Sequence, residues 1–416
     1  MKYLTGLRCV SCGEVYGPDE LDYTCPKCGT RKGTLEVVYD YEAAGEEFKR
    51  EVKKNEQPDV TKYSPLLPIK NLNNLPPLEV GGTPLYPFHD LTDEVDEIWI
   101  KDDSGNPTAS YKDRATMLAI AAAKQKGIDT ITCASTGNAA SSLAGLGAAS
   151  NMETIIFVPK SAPEAKITQL LVYGANVFAV DGSYDQAYDL CLEAAEKYDW
   201  YNRSAAIHPY LVEGKKTGGL EMADQLDWEP PDKVFVSVGD GSIISGLSKG
   251  FKELAKIDLI DEVPEIVGVQ SEGADTIASA FANYSGGDVE LMEKSASTVA
   301  DSIAVGKPRD IVKAVKYVHE NGGHYMTVSD EEITQGLTEL ARKRGVFAEP
   351  AAATAYAGFK KALSGGDLKG DDSIGIFITG SGLKDVNAAK KGVQDATEVA
   401  PELEAVDRIL EEKNIL

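Results

Sequence analysis

The sequence predicts an α/β protein of two subdomains, each a parallel-type sheet flanked by helices, preceded by a small cysteine-rich unit. Three observations predict it. Apolar segments of about five residues alternate with helical segments through most of the chain, which is the pattern of sheets covered on both faces. The interval from Gly82 to Gly382 is too long for one simple unit, so two α/β units with a cleft between them are expected. Four of the six cysteines fall near the start of the chain, in two close pairs.

Taken in order, those pairs are Cys9-Val10-Ser11-Cys12 and Cys25-Pro26-Lys27-Cys28, each followed by a glycine, Gly13 and Gly29. Two such knuckles can place four thiolates tetrahedrally around one Zn²⁺. A segment this small has little core of its own, so metal would supply its folding energy. Residues 1–40 are therefore expected to be a zinc ribbon with Cys9, Cys12, Cys25 and Cys28 as ligands. Disulfides are the alternative, disfavoured in a cytoplasmic chain. Residues 41–81 carry a charged stretch and then prolines, read as a short helix at 46–54 followed by a linker or arm.

Strands are expected at 97–101, 130–134, 154–158, 176–180, 233–238, 265–270 and 374–378. Helices are expected after Ser110 and at 139–150, 164–173, 184–198, 213–226, 243–254, 310–320, 330–344 and 350–363. This main body, 82–390, would be the catalytic region, with 391–416 as a helical tail.

Lys+Arg 42 against Asp+Glu 66 gives 42 − 66 = −24. That balance argues against a nucleic-acid surface, where a basic footprint is expected. The acidic residues are spread along the chain, which suggests a surface kept soluble in concentrated salt, as in halophilic organisms. No apolar run is long enough to span a membrane, and the first residues lack the apolar core of a signal peptide, so a cytoplasmic protein is expected.

Residues 104–114 organise the rest. Gly105, Asn106 and Pro107 make a turn, and Ser110 followed by Asp113 reads as a capping box opening a helix. Lys112 then lies in the first turn of an apolar helix beside a polar loop. Partial burial and a local positive field disfavour its ammonium form, and a neutral lysine is what imine chemistry needs.

Three strand-to-helix turns would sit near it, since ligands collect at strand C-terminal ends. Ser135-Thr136-Gly137-Asn138 offers hydroxyls and backbone N–H groups for a carboxylate, and Asn138 an amide for a phenolate-like oxygen. Gly239-Asp240-Gly241-Ser242-Ile243 would let the backbone approach a phosphate at a helix N-terminus, with Asp240 pointing away from it. Thr379-Gly380-Ser381-Gly382 places one neutral hydroxyl at the bottom of the cleft. Amine, amide, phosphate cradle and hydroxyl together suit pyridoxal phosphate. Glu349, before Pro350, could face the cofactor, although a carboxylate at a helix start is the simpler reading.

The segments Gly105-Asn106-Pro107-Thr108, Ser110-Tyr111-Lys112-Asp113-Arg114, Ser135-Thr136-Gly137-Asn138, Glu213-Gly214-Lys215-Lys216-Thr217, Glu349-Pro350-Ala351 and Thr379-Gly380-Ser381-Gly382-Leu383-Lys384-Asp385 follow one another in an order that resembles the threonine synthase family. These are pyridoxal-phosphate enzymes of fold type II, the tryptophan-synthase-β kind. The resemblance implies that two-domain fold, Lys112 as the lysine joined to the cofactor and Asn138 on its 3-oxygen. It also implies residues 239–243 around its phosphate and Thr379 on its ring nitrogen. It implies conversion of O-phosphohomoserine and water to threonine and phosphate, and a homodimer. The chain departs from the family pattern at Ala205, Ala206 and Leu211, where an Asn-Ser pair and an arginine usually grip the substrate phosphate. Ser135, Thr136, Lys215 and Lys216 are candidate substrate contacts, with Arg114 and Arg203 as further cations. Two alternatives stay open: a β-eliminating or β-replacing enzyme, of the ammonia-lyase or cysteate-synthase kind, and a non-catalytic binding protein for an amino acid or the cofactor.

Overall fold

The computed structural model describes residues 2–55, 59–204 and 207–415. Strands β1 (Leu4–Cys9), β2 (Val15–Tyr16) and β3 (Leu35–Tyr39) form an antiparallel sheet in the order β2-β1-β3, with the short helix α1 (Gly29–Lys32) between β2 and β3. Helix α2 (Tyr41–Lys54) follows directly. It starts five residues earlier than the charge pattern suggests because Asp40 caps it, accepting from the Ala43 N–H at 3.2 Å.

The stretch read as an arm is packed down. Phe48 stacks on Tyr63 with ring centroids 5.9 Å apart, and the Tyr63 hydroxyl donates to Asp224 at 2.7 Å.

The body begins with β4 (Leu85–Pro87), β5 (Glu97–Asp102) and α3 (Lys112–Gln125). It continues with β6 (Thr130–Ala134), α4 (Asn138–Ala149), β7 (Glu153–Pro159), α5 (Glu164–Val172), β8 (Asn176–Val180), α6 (Tyr184–Tyr198) and β9 (Tyr201–Asn202). The chain then crosses back through α7 (Tyr210–Gln225), β10 (Lys233–Ser237), α8 (Ser242–Lys256), β11 (Glu265–Ser271), α9 (Thr276–Ala282) and α10 (Ile311–Glu320). It ends with β12 (His324–Val328), α11 (Asp330–Arg344), α12 (Pro350–Gly365), β13 (Ser373–Ile378) and two tail helices, α13 (Val386–Ala389) and α14 (Leu403–Glu412).

Two sheets result. One has the order β8-β7-β6-β9 and is parallel throughout. The other runs β12-β11-β10-β13-β5-β4 and is parallel except for its edge, where β4 pairs antiparallel with β5. Sequence reading misses β4, β9 and β12. The first two are three and two residues long, and β12 opens on the exposed His324 with little apolar pattern.

Helices α3 and α7 pack between the sheets. They approach so closely that a Cβ on Gly214 would lie 2.1 Å from the Arg114 carbonyl oxygen. Two fully buried ionic clusters sit beside this contact. Arg114 pairs with Asp103 at 2.6 Å and with Glu221 at 2.9 Å, and Lys101 joins Glu221. Lys216 pairs with Glu213 and, at 2.6 Å, with Glu253.

The second cluster also receives the N-terminal unit. Tyr39 donates to Glu213 at 2.7 Å, and Lys249 donates to the Val37 carbonyl at 2.6 Å. Among the described residues no helix is long and apolar enough to cross a membrane.

Candidate active site

The C-terminal ends of β6, β7, β10 and β13 open onto one cavity of about 640 Å³. Every residue expected around the cofactor lines it: Lys112, Asn138, Gly239, Asp240, Gly241, Ser242, Ile243 and Thr379. Ser135, Thr136 and Lys215 line it too.

Lys112 is placed by its loop rather than by a capping box. The Ser110 hydroxyl is buried without a hydrogen-bond partner among the described residues, and no side chain caps α3. Asp113 reaches back instead, accepting from the Thr108 N–H at 2.7 Å and from its hydroxyl. That contact closes a turn in which Ala109 takes φ 61°, a strained value for a residue with a side chain.

Backbone bonds then tie three segments together. Tyr111 N–H donates to the Thr379 carbonyl at 2.9 Å, Ser381 N–H to Ala109 at 3.1 Å, and Glu349 N–H to Gly380 at 3.0 Å. The Lys112 loop, the Thr379 turn and the start of α12 are thus one rigid floor. Burial holds the Lys112 amine below the ordinary lysine range; Glu349 pulls against this and Arg203 adds to it.

The glycine turn after β10 has Gly241 at φ 91°, which favours glycine, and leads into α8. The Asp240 carboxylate accepts from the Arg309 backbone N–H at 3.0 Å, which ties it to the neighbouring loop. Ser242, at the first position of α8, has a buried hydroxyl with no partner among the described residues. Such an orphan at a helix N-terminus fits a phosphate. At the end of β13 the Thr379 hydroxyl lies 3.4 Å from that of Ser237. Amine, orphaned hydroxyl at a glycine turn and neutral hydroxyl therefore fit pyridoxal phosphate.

Three placements differ from expectation. Lys216 is not on the cavity wall: the next residue along α7 from Lys215, it is turned into the Glu213–Glu253 cluster and over the Tyr39 ring, 4.5 Å from its centroid. Arg114 is likewise spent on Asp103 and Glu221.

Glu349 does stand at the start of α12, as its N-cap residue, but its side chain makes no capping hydrogen bond. Its side chain enters the cavity wall, accepting from the Asn138 amide at 2.8 Å and from the Ser302 hydroxyl at 3.2 Å. Burial raises its pKa above the usual carboxylate value, against the pull of Asn138 and Lys112. Leu211 and Arg203 also line the cavity, whereas Ala205 and Ala206 lie outside the described residues.

Sequence reading missed Ser237 and Ser302. Ser237 ends β10 directly before the glycine turn, so its position at the strand end was a usable signal. Ser302 lies in a short 3₁₀ turn with no pattern to announce it.

Outside the cavity lining, the Sγ atoms of Cys9, Cys12, Cys25 and Cys28 all lie within 4.8 Å of one another, with Cys12 and Cys25 at 3.8 Å. Tetrahedral Zn–S bonds of about 2.3 Å place sulfurs about 3.8 Å apart.

The profile of the family described as pyridoxal-phosphate dependent enzyme matches residues 77–380. A threonine synthase of Methanocaldococcus jannaschii is 37% identical over 408 residues, spanning 97% of this chain and 99% of that protein. One from Methanosarcina acetivorans is 34% identical over 403 residues, spanning 96% and 97%. Among solved structures, threonine deaminase isoform 2 from Solanum lycopersicum superposes with a TM-score of 0.64 at 22% identity, covering 75% of this chain and 83% of that one. Diaminopropionate ammonia lyase from Escherichia coli gives 0.64 at 16% identity, covering 94% and 98%. These two share the fold.

Proposed function

The chain belongs to the pyridoxal-phosphate-dependent enzymes, among the threonine synthases, and on that premise we propose that it converts O-phosphohomoserine and water to L-threonine and phosphate. The observation that carries this reading is the arrival of Lys112, the orphaned Ser242 hydroxyl and Thr379 on one cavity from three separate segments.

In this reading residues 239–243 and the α8 N-terminus hold the cofactor's phosphate, and Thr379 offers a hydroxyl to its ring nitrogen. Asn138, oriented by Glu349, offers its amide to the phenolic oxygen. Pyridoxal phosphate, when bound, supplies a conjugated ring that stabilises negative charge on the substrate's carbon skeleton. Lys112, its amine held below the ordinary lysine range by burial, moves protons at Cα and Cβ of the substrate. A neutral Thr379, unlike a carboxylate, does not favour a proton on the ring nitrogen. That restrains charge delocalisation and favours elimination and addition over transamination. Ser135 and Thr136, on the turn before α4, face the substrate's carboxylate.

Residues 1–40 form a zinc ribbon held by the four cysteines, with 41–81 as an arm, 82–390 as the catalytic region and 391–416 as a tail. The charge of −24 fits a cytoplasmic protein adapted to high salt, and a melting temperature that does not rise in molar potassium chloride would refute that adaptation.

The deciding experiment loads the protein with pyridoxal phosphate, adds O-phosphohomoserine and follows phosphate and threonine together. Equal release of both is expected. A 2-oxo acid and ammonia from threonine or serine would instead support the β-eliminating reading, which Leu211 on the cavity wall favours by bringing no charge to a phosphorylated substrate.

A further inference from the structure

Arg203 is a cation in the cavity wall that the chemistry above leaves without a task. It directly follows β9, and its backbone N–H donates to the Thr132 carbonyl at 2.9 Å, which fixes its root to the neighbouring strand. The residue is 2% exposed. Its guanidinium donates from Nη2 to the Thr116 hydroxyl at 3.1 Å, its Nε is buried with no partner, and no carboxylate pairs with it among the described residues.

Arg114 shows what this fold does with a structural buried arginine: it surrounds it with Asp103 and Glu221. The same contrast recurs on α7. Lys216 is saturated by carboxylates, while its neighbour Lys215, 4% exposed and on the cavity wall, has no ion pair among the described residues. Two buried basic side chains without an ion pair thus share one wall. Burial, with Lys112 and Arg203, holds the Lys215 amine well below the ordinary lysine range against the pull of Asp310 and Asp240. An anion arriving between Arg203 and Lys215 would therefore offset the cost of their burial.

The glycine turn is a separate anion site, built from backbone N–H groups and the Ser242 hydroxyl. Leu211, one helical turn before Lys215 on α7, adds hydrocarbon to the wall and so strengthens charge–charge attraction there.

We propose that Arg203 and Lys215 form the subsite for the phosphate group of the substrate, distinct from the glycine turn that takes the cofactor. The inference rests on the reading of the substrate as a phosphate monoester. The planar guanidinium donates to phosphate oxygens from Nε and Nη1, and the Lys215 amine adds a further N–H donor. The subsite holds the ester before reaction and inorganic phosphate after it. It also gives the chain a phosphate grip that does not need an arginine at position 211.

The test uses the pyridoxal-phosphate-loaded protein and the variants R203Q, R203K and K215Q. Inorganic phosphate is titrated calorimetrically into each, and KM for O-phosphohomoserine is measured beside it. In R203Q and K215Q both phosphate affinity and KM are expected to worsen on the order of tenfold or more. Cofactor affinity and absorbance are expected to stay as in the parent, and R203K to recover part of the loss. R203Q should melt no lower than the parent, because it removes an unpaired buried charge; a purely structural arginine would lower it.

Unchanged phosphate affinity in both variants overturns the proposal, and so does loss of the cofactor from either. If the parent binds phosphate through these residues yet makes no threonine, the function reading fails and the subsite stands. If it makes threonine and the variants keep the parent KM, the subsite fails alone.

Discussion

The side-chain amide of Asn138 donates to both oxygens of Glu349, at 2.8 and 3.0 Å. Asn138 begins α4 beside one sheet, and Glu349 precedes α12 beside the other, so the contact clasps the cavity from both sides. Asn138→Ala removes both the clasp and the amide offered to the cofactor. Its affinity for pyridoxal phosphate is expected to fall on the order of tenfold, read by titrating cofactor-free protein and following absorbance. The Glu349 carboxyl, already raised by burial, is expected to rise further when the donor is lost. An unchanged affinity would place the amide outside the cofactor's contacts.

Lys112→Ala is expected to abolish the borohydride-trapped cofactor adduct and to lower kcat by roughly a hundredfold to ten-thousandfold. The readout is peptide mass spectrometry after reduction, compared with the parent protein. A trapped adduct that survives on a different lysine would move the chemistry away from α3.

The strand-end turns were legible because strand-to-helix connections must lie at one edge of a parallel sheet, and Ser135, Gly239 and Thr379 all follow such strands within two residues. What could not be read was side-chain direction. Lys215 and Lys216 are sequence neighbours on α7, yet one faces the cavity and the other a buried carboxylate pair. Asp113 has the spacing of a capping residue but bonds Thr108, because the turn at Ala109 brings that N–H to it. Glu349 has the position of a helix-start carboxylate, yet its side chain bonds Asn138, a partner 211 residues away. Each of these choices is settled by a tertiary neighbour that no local spacing encodes.

The four-cysteine cluster is expected to bind about one zinc per chain, measured by elemental analysis of the purified protein. Its removal should be felt beyond the first forty residues. Val10 and Val37 carbonyls accept from Lys316 and Lys249, and Tyr39 and Glu36 bond Glu213 and Tyr317. Chelation, or Cys25→Ser, is therefore expected to lower the melting temperature of the whole chain by several degrees and not merely to melt its start. A melting curve indifferent to chelator would detach the cluster from the stability of the body.

Glu221 provides a pH signature. Its burial would by itself raise the carboxyl, but Arg114 and Lys101 prevail and bring it from the ordinary 4.5 to about 2. The unfolded chain therefore binds this proton first as acid is added, and the folded chain resists it. The contribution to stability is whole above about pH 4.5 and is lost as pH falls through about 2. The difference, 4.5 − 2 = 2.5, corresponds to about 3 kcal/mol at 1.36 kcal/mol for each pH unit. Glu221→Gln cannot titrate, and it leaves Arg114 and Lys101 short of charge in a fully buried cluster. It is expected to be less stable than the parent near neutrality, by about 3–5 kcal/mol, with the gap narrowing as pH falls from about 5 towards 3. Melting temperatures of the two proteins across that interval decide the matter. Parallel curves would mean that the cluster does not keep Glu221 ionised.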